Sequence, residues 1–430
     1  PTEEATLAIL ERKNGEIWLG VRDRGLYTLS KDFSATVAKG NPAASFPFRT
    51  CWSIYEHSQT GLIWMGTSRG QIAVYDQNTG RIDTLPKPLA EFEGRPAHKI
   101  AEDSNGNLWF ITRAFDSLAS LVKWDRAKAG GDFRKGYQLI AISRYTYTSI
   151  MVDQLNQVWV GTYGDGLQKY DANTGELLSR IFPEPSTGRS LLYENSIADI
   201  IQYNDSMLVA VGSAISLINI KTNELTTYTR NDGLPSNIIS VQRDSRGLLW
   251  LGTMESGLGR FNIARRIITF YTKDDGLLDD FFMQGGRYRL SDGRMIFYTS
   301  RCIITFTPEE VASNTNAPAA TITDFKLLNA SLPVDSLMAL DKLVLPYDKN
   351  SVTIEFSTMN FGSQNKVNYY YQMEGLDPEW IPADETLRAI YNYLPAGKYV
   401  FRIKTDNGNT DESTITSLPI TVRAVFWRTW

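Results

Sequence analysis

Along the first three quarters of the chain, apolar and polar positions alternate in short bursts separated by Gly, Asn and Asp. Alternation of period two marks β-strands with one face buried, and those separators supply tight turns. One burst recurs with an aromatic residue at its centre. It reads Ile17-Trp18-Leu19-Gly20, then Ile63-Trp64-Met65-Gly66, Leu108-Trp109-Phe110, Val158-Trp159-Val160-Gly161 and Leu249-Trp250-Leu251-Gly252. Two weaker copies place Ala210 and Ile296 at the tryptophan position. The seven anchors stand 40 to 51 residues apart, room for four short strands per unit. A repeat of that length predicts a β-propeller, here a seven-bladed β-propeller over residues 1–313.

Each repeat divides into strands A to D. In the third, Lys99–Asp103 is strand A, Ser104–Asn107 the hairpin turn and Leu108–Ile111 strand B. Gly25-Leu26, Gly166-Leu167 and Gly257-Leu258 lead into strand C, and the stretch from Arg113 to Gly131 is irregular. The periodicity fades after Val311, and residues 313–318 read as a linker. Beyond Ala320 the strands lengthen (Ser351–Phe356, Lys398–Ile403) and turn signals fall at sandwich spacing. A second domain, an all-β sandwich over residues 318–430, is expected.

Composition adds limits. Charged residues make up 21% of the chain and the net charge is −4, so no electrostatic footprint for nucleic acid exists in this segment. Cys51 and Cys302 fall in the second and seventh repeats, which a closed ring does not place side by side. They read as small buried apolar residues without a disulfide. His57 and His98 are the only histidines, so a multi-histidine metal site is not expected, nor is a cofactor. The chain opens inside the repeat pattern without a leader or an apolar span, which suggests a piece of a longer protein.

Candidate chemistry divides into scaffold and site. The repeated tryptophans, fixed on strand B, read as core packing and not as sugar platforms. Asp103–Asn107 looks like half a calcium loop, but Gln154–Gln157 at the equivalent turn has no carboxylate and no glutamate stands at the twelfth position. It therefore reads as a hairpin turn. His98 is placed near one mouth of the ring without a histidine partner, so no catalytic residue is assigned. Residues before or at the start of strand A differ between repeats and form the expected ligand site: Arg49 and Trp52, Arg95 and His98, Tyr145 and Tyr147, Asn195, Asn237, and Gln284 with Arg287. Aromatic faces, amides and guanidinium groups suit carbohydrate.

The repeats resemble the two-component regulator propeller repeat, through Ile100–Trp109, Val241–Leu258 and the connectors Asn231–Asn237 and Asp274–Leu278. Tyr369–Trp380 and Tyr391–Phe401 resemble the Y_Y_Y domain, an immunoglobulin-like β-sandwich, with Tyr371, Tyr391 and Tyr399 as its tyrosines, expected to be core residues. The order of the two, followed by Phe426–Trp430, is similar to the periplasmic sensor region of Bacteroides-type hybrid two-component systems. That resemblance implies a non-enzymatic sensor of glycan-derived oligosaccharides, forming a homodimer within an inner-membrane histidine kinase that regulates transcription of glycan-use genes. It further implies an N-terminal propeller before residue 1 and a membrane helix after Trp430. Two alternatives stand beside it: a periplasmic polysaccharide lyase or hydrolase, and a protein-docking propeller.

Overall fold

The structure is a computed structural model that describes residues 5–33, 45–92, 94–113, 118–182, 196–235, 237–313, 318–358, 367–384, 386–406 and 414–424. Two compact units emerge, residues 1–266 with 271–308, and residues 309–430 with 267–270.

The first unit is a ring of seven antiparallel sheets in chain order, the seven-bladed propeller that the period calls for. The blades span residues 6–29, 51–84, 97–143, 147–181, 197–228, 238–271 and 282–306. The third repeat, irregular in sequence, forms a complete sheet, with the short helix Arg126–Ala129 between its outer two strands. In each blade the first strand is innermost, and inner strands of successive blades lie against one another all the way round. Blades seven and one meet through hydrogen bonds. The Glu11 amide donates to the Tyr288 hydroxyl at 3.0 Å, and Ser291 donates to the Glu11 carboxylate from its amide at 2.6 Å and its hydroxyl at 2.7 Å. The Tyr298 hydroxyl donates to the Leu7 carbonyl at 3.0 Å.

Trp18, Trp64, Trp109, Trp159 and Trp250 are fully buried between blades, as strand alternation requires. Three of them hang from a carboxylate in the A–B turn. One oxygen of Asp153 accepts the Leu155 and Gln157 amides, and the other accepts the Trp159 indole N–H at 2.7 Å. Asp103 does the same for Trp109 at 3.0 Å, and Asp244 for Trp250 at 3.3 Å. The expectation that these turns lack carboxylates is corrected: the residue equivalent to Asp103 is Asp153, one before Gln154. These acids serve the turn and the tryptophan, so the hairpin reading holds. Arg12 and His57 occupy the same place in blades one and two. There the Trp18 and Trp64 indole nitrogens are buried without a partner among the described residues.

A second correction concerns blade five. Val209, opposite Ile201 and Leu217, takes the place that Trp159 holds opposite Met151 and Lys169. The tryptophan-equivalent residue is therefore Val209 and not Ala210, because Gly212 ends this strand where blade one carries Val21 and the remaining five blades a threonine.

Strand C adds ties between blades that the sequence reading passed over. The Lys123 ammonium covers the Trp109 ring and donates to the Ala172 carbonyl of blade four at 2.7 Å. Lys169 covers Trp159 and donates to the Ile220 carbonyl of blade five at 2.7 Å. The visible signal is a cation, an aromatic residue and Asp or Asn in succession, as in Lys169-Tyr170-Asp171.

The second unit has a four-stranded and a five-stranded sheet. Phe325, Ile354, Phe356, Met373, Phe401 and Ile403 fill its core. Tyr391 and Tyr399 are buried; their hydroxyls donate to Asp377 at 2.6 Å and to the Pro395 carbonyl at 3.0 Å. Tyr371 is half-buried, its ring 5.8 Å from Phe356. Tyr391 and Tyr399 are core residues, as expected, and Tyr371 packs against that core from its edge. Residues 426–430 lie outside the described residues, and among the described ones no helix is long and apolar enough to cross a membrane.

Candidate functional site

The face of the ring that can vary without disturbing these ties carries the starts of the inner strands and the loops that leave strand B. One backbone device shapes it. In six inner strands the register slips after the first paired residue, at 6/8, 51/53, 97/99, 147/149, 197/199 and 238/240. A bulge re-aims the residue it releases. In blade seven the slip widens to the interval between Phe282 and Arg287, and Gly285 adopts a φ of +60°.

That enlarged bulge reaches across the channel. Lys99 of blade three donates to the Gly285 carbonyl at 3.0 Å. Arg287 holds both oxygens of Asp199 in blade five, at 2.6 and 3.1 Å, and also contacts Gln242 and the Ile200 carbonyl. Burial pushes the Lys99 ammonium below its ordinary pKa, and the Asp199 charge opposes that shift. The channel is thus crossed by a structural charge cluster.

The expected ligand residues separate accordingly. Arg287 is committed to Asp199 and so is not presented at the mouth, and Gln284 sits half-buried in the bulge. Tyr147 is 1% exposed and belongs to the core between blades three and four. His98 is 8% exposed; burial first, then the Lys99 and Arg113 charges, push its pKa down to about 3, so it is a neutral core imidazole. Tyr147 and His98 fail as mouth residues because both already lie within their inner strands, which begin at Tyr147 and, two residues before the expected Lys99, at Ala97. Asn195 lies outside the described residues. Arg49 and Asn237 are exposed, and Trp52, Arg95 and Tyr145 are half-buried at the mouth. The Trp52 indole donates to the Ser68 hydroxyl at 3.3 Å.

The loops after strand B supply mouth residues that the sequence reading missed. Arg22, Arg69 and Arg301 are exposed there, and Arg113 is half-buried. Burial, and then the like charge of Arg22, lower the Arg113 pKa. Tyr163 and Met254 occupy the same loop position in blades four and six and are half exposed, as is Phe281 just before the inner strand of blade seven. The signal was available: each of these follows a recognisable strand B, as in Trp64-Met65-Gly66-Thr67 with Arg69 close behind. A recess of about 610 Å³ lies on the opposite face, but its Asn107, Lys123 and Asn173 already bond one another's turns. The mouth is the better candidate site because its exposed Arg22, Arg49, Arg69 and Arg301 form no ion pair among the described residues.

Residues 360–423 match the Y_Y_Y domain. A protein named Histidine kinase P4 of Formosa agariphila is 24% identical over 388 residues, 86% of this chain and 28% of that protein. The chain therefore spans little more than a quarter of that relative. Two solved extracellular domains assigned to hybrid two component systems of B. thetaiotaomicron share the fold. One is 18% identical with a TM-score of 0.63, covering 99% of this chain and 56% of that one. The other is 17% identical with a TM-score of 0.51, covering 98% and 57%. The chain thus carries a Y_Y_Y domain behind a seven-bladed ring, a succession whose fold it shares with these extracellular domains.

Proposed function

We propose that this chain is the ligand-sensing extracellular region of a hybrid two-component histidine kinase, working in the periplasm and responding to glycan-derived oligosaccharides. The observation that carries the reading is the succession of ring and Y_Y_Y unit in a chain aligned over 86% of its length with a histidine kinase. The mouth supports it. A scaffold tied blade to blade leaves an open set of guanidinium and aromatic groups at one end, the chemistry that binds sugar hydroxyls and ring faces. The whole protein would be anchored by a membrane helix after Trp430, and an upstream propeller and a second copy would complete the receptor. Binding would favour one of two arrangements of that dimer, because a ligand shifts an equilibrium only through different affinity for its states.

The test is a transcriptional reporter in cells carrying the full-length receptor, exposed to purified oligosaccharides, alongside calorimetry on the extracellular region. Induction that requires the receptor, with binding of the same sugar, is the expected result. Cleavage of a polysaccharide by the isolated region, without induction, would instead establish the enzyme.

A further inference from the structure

The charges at the mouth are distributed unevenly. Exposed Arg22, Arg49, Arg69 and Arg301 stand on blades one, two and seven, with half-buried Arg95 and Arg113 continuing the arc between blades two and three. None of the four exposed guanidiniums has an ion-pair partner among the described residues, although the surface elsewhere is laced with Arg–Asp and Lys–Glu pairs. Asp23, exposed beside Arg22, is the one acid in that short loop. The chain as a whole is acidic at −4, so the arc is a local reversal of sign. On blades four and six Tyr163 and Met254 are half exposed, with Glu255 exposed beside Met254, and Phe281 adds a half-exposed ring just before blade seven. Like charges held close repel one another, as Arg22 and Arg113 do, and an anion relieves that repulsion. A guanidinium also binds a carboxylate or sulfate in bidentate fashion.

We propose that the mouth recognises an acidic oligosaccharide, with its carboxylate or sulfate groups on the arginine arc of blades seven, one, two and three and its sugar faces against Tyr163 and Phe281. This deepens the sensor reading and rests on it. A neutral sugar would leave the exposed charges of Arg22, Arg49, Arg69 and Arg301 unmatched, so selection against neutral glycans is built into the same surface. Ionic contacts at an exposed rim are screened by salt, so affinity is also expected to fall as salt rises.

The experiment is calorimetry on the full extracellular region with three probes: a galacturonic acid tetramer, a sulfated disaccharide series from heparin, and neutral cellotetraose. Binding of either acidic probe at least ten-fold tighter than cellotetraose is expected, weakening as sodium chloride rises. Arg22→Gln with Arg69→Gln should weaken that binding ten-fold or more, Arg→Lys at both positions less, with unchanged melting temperature. The carboxylated and sulfated arms identify which anion the arc takes. Equal or tighter binding of cellotetraose overturns the acidic assignment and leaves the sensor reading standing. Acidic binding indifferent to salt and to both glutamine substitutions places the anion elsewhere and overturns the arc. If no probe binds, the arc assignment falls, and the cell reporter separately decides the sensor reading.

Discussion

Asp153 does two things with one carboxylate: it closes a hairpin and accepts a hydrogen bond from a buried indole. Asp153→Ala would strand two turn amides and the Trp159 N–H, each an unmet donor, and is expected to cost roughly 2–4 kcal/mol in urea unfolding. Asp153→Asn keeps an acceptor and should cost less. The sequence made the tryptophans legible because they recur, but their partner was hidden by a one-residue misalignment of the turn. His98 gives a pH signature. Its folded pKa of about 3 lies below the ordinary 6.5, so between these values the unfolded chain binds a proton that the native protein does not. Stability contributed by this residue is complete above pH 6.5 and is lost as pH falls toward 3, at up to about 1.4 kcal/mol per unit. Denaturant unfolding at pH 7 and pH 5 measures this, and His98→Gln should flatten the difference. An equal pH slope in that variant would show that His98 is not the group responsible.

The inner strand of blade seven, Phe282–Arg289, shows how one element departs from its siblings. A methyl group on Gly285 would meet the Lys99 ammonium at 2.6 Å, on a backbone already at φ +60°. Gly285→Ala is expected to cost at least about 1–2 kcal/mol from the left-handed backbone alone. Arg287→Ala leaves Asp199 buried and unpaired and should cost roughly 3–5 kcal/mol, while the double variant with Asp199→Ala recovers part of the loss. A double-mutant cycle in urea decides this, and simple additivity would mean that the pair is not coupled. Sequence alone shows Gln284-Gly285-Gly286-Arg287 as four plausible loop residues. That they fold into the channel depends on Lys99 and Asp199, more than 80 residues away, and no local pattern carries such information.

At the scale of the molecule, scaffold and mouth should respond oppositely to substitution. Trp250→Ala is expected to destabilise the ring by about 3–5 kcal/mol, and Arg49→Gln to leave its melting temperature within experimental error. Paired thermal melts of the two variants measure this; a large loss for Arg49→Gln would make it a scaffold residue. The blade count and the order of the units were legible because repetition is a global signal. The site was only partly so: Arg49, Asn237, Trp52, Arg95 and Tyr145 were placed at the mouth, whereas Arg22, Arg69 and Tyr163 were passed over although each stands just behind a recurring strand B, because the loop residues themselves differ from blade to blade. The joint between blades seven and one has a mechanical meaning. Every other neighbouring pair of blades is joined by the continuing backbone, but this pair is held by side-chain hydrogen bonds of Glu11, Ser291, Tyr288 and Tyr298 and by an apolar cluster that Ile9, Ile17 and Leu19 share with Leu290 and Ile296. The ring is in effect a split washer. Under load applied along the chain it should spring at that slit before any blade unravels, and it can reseal without refolding.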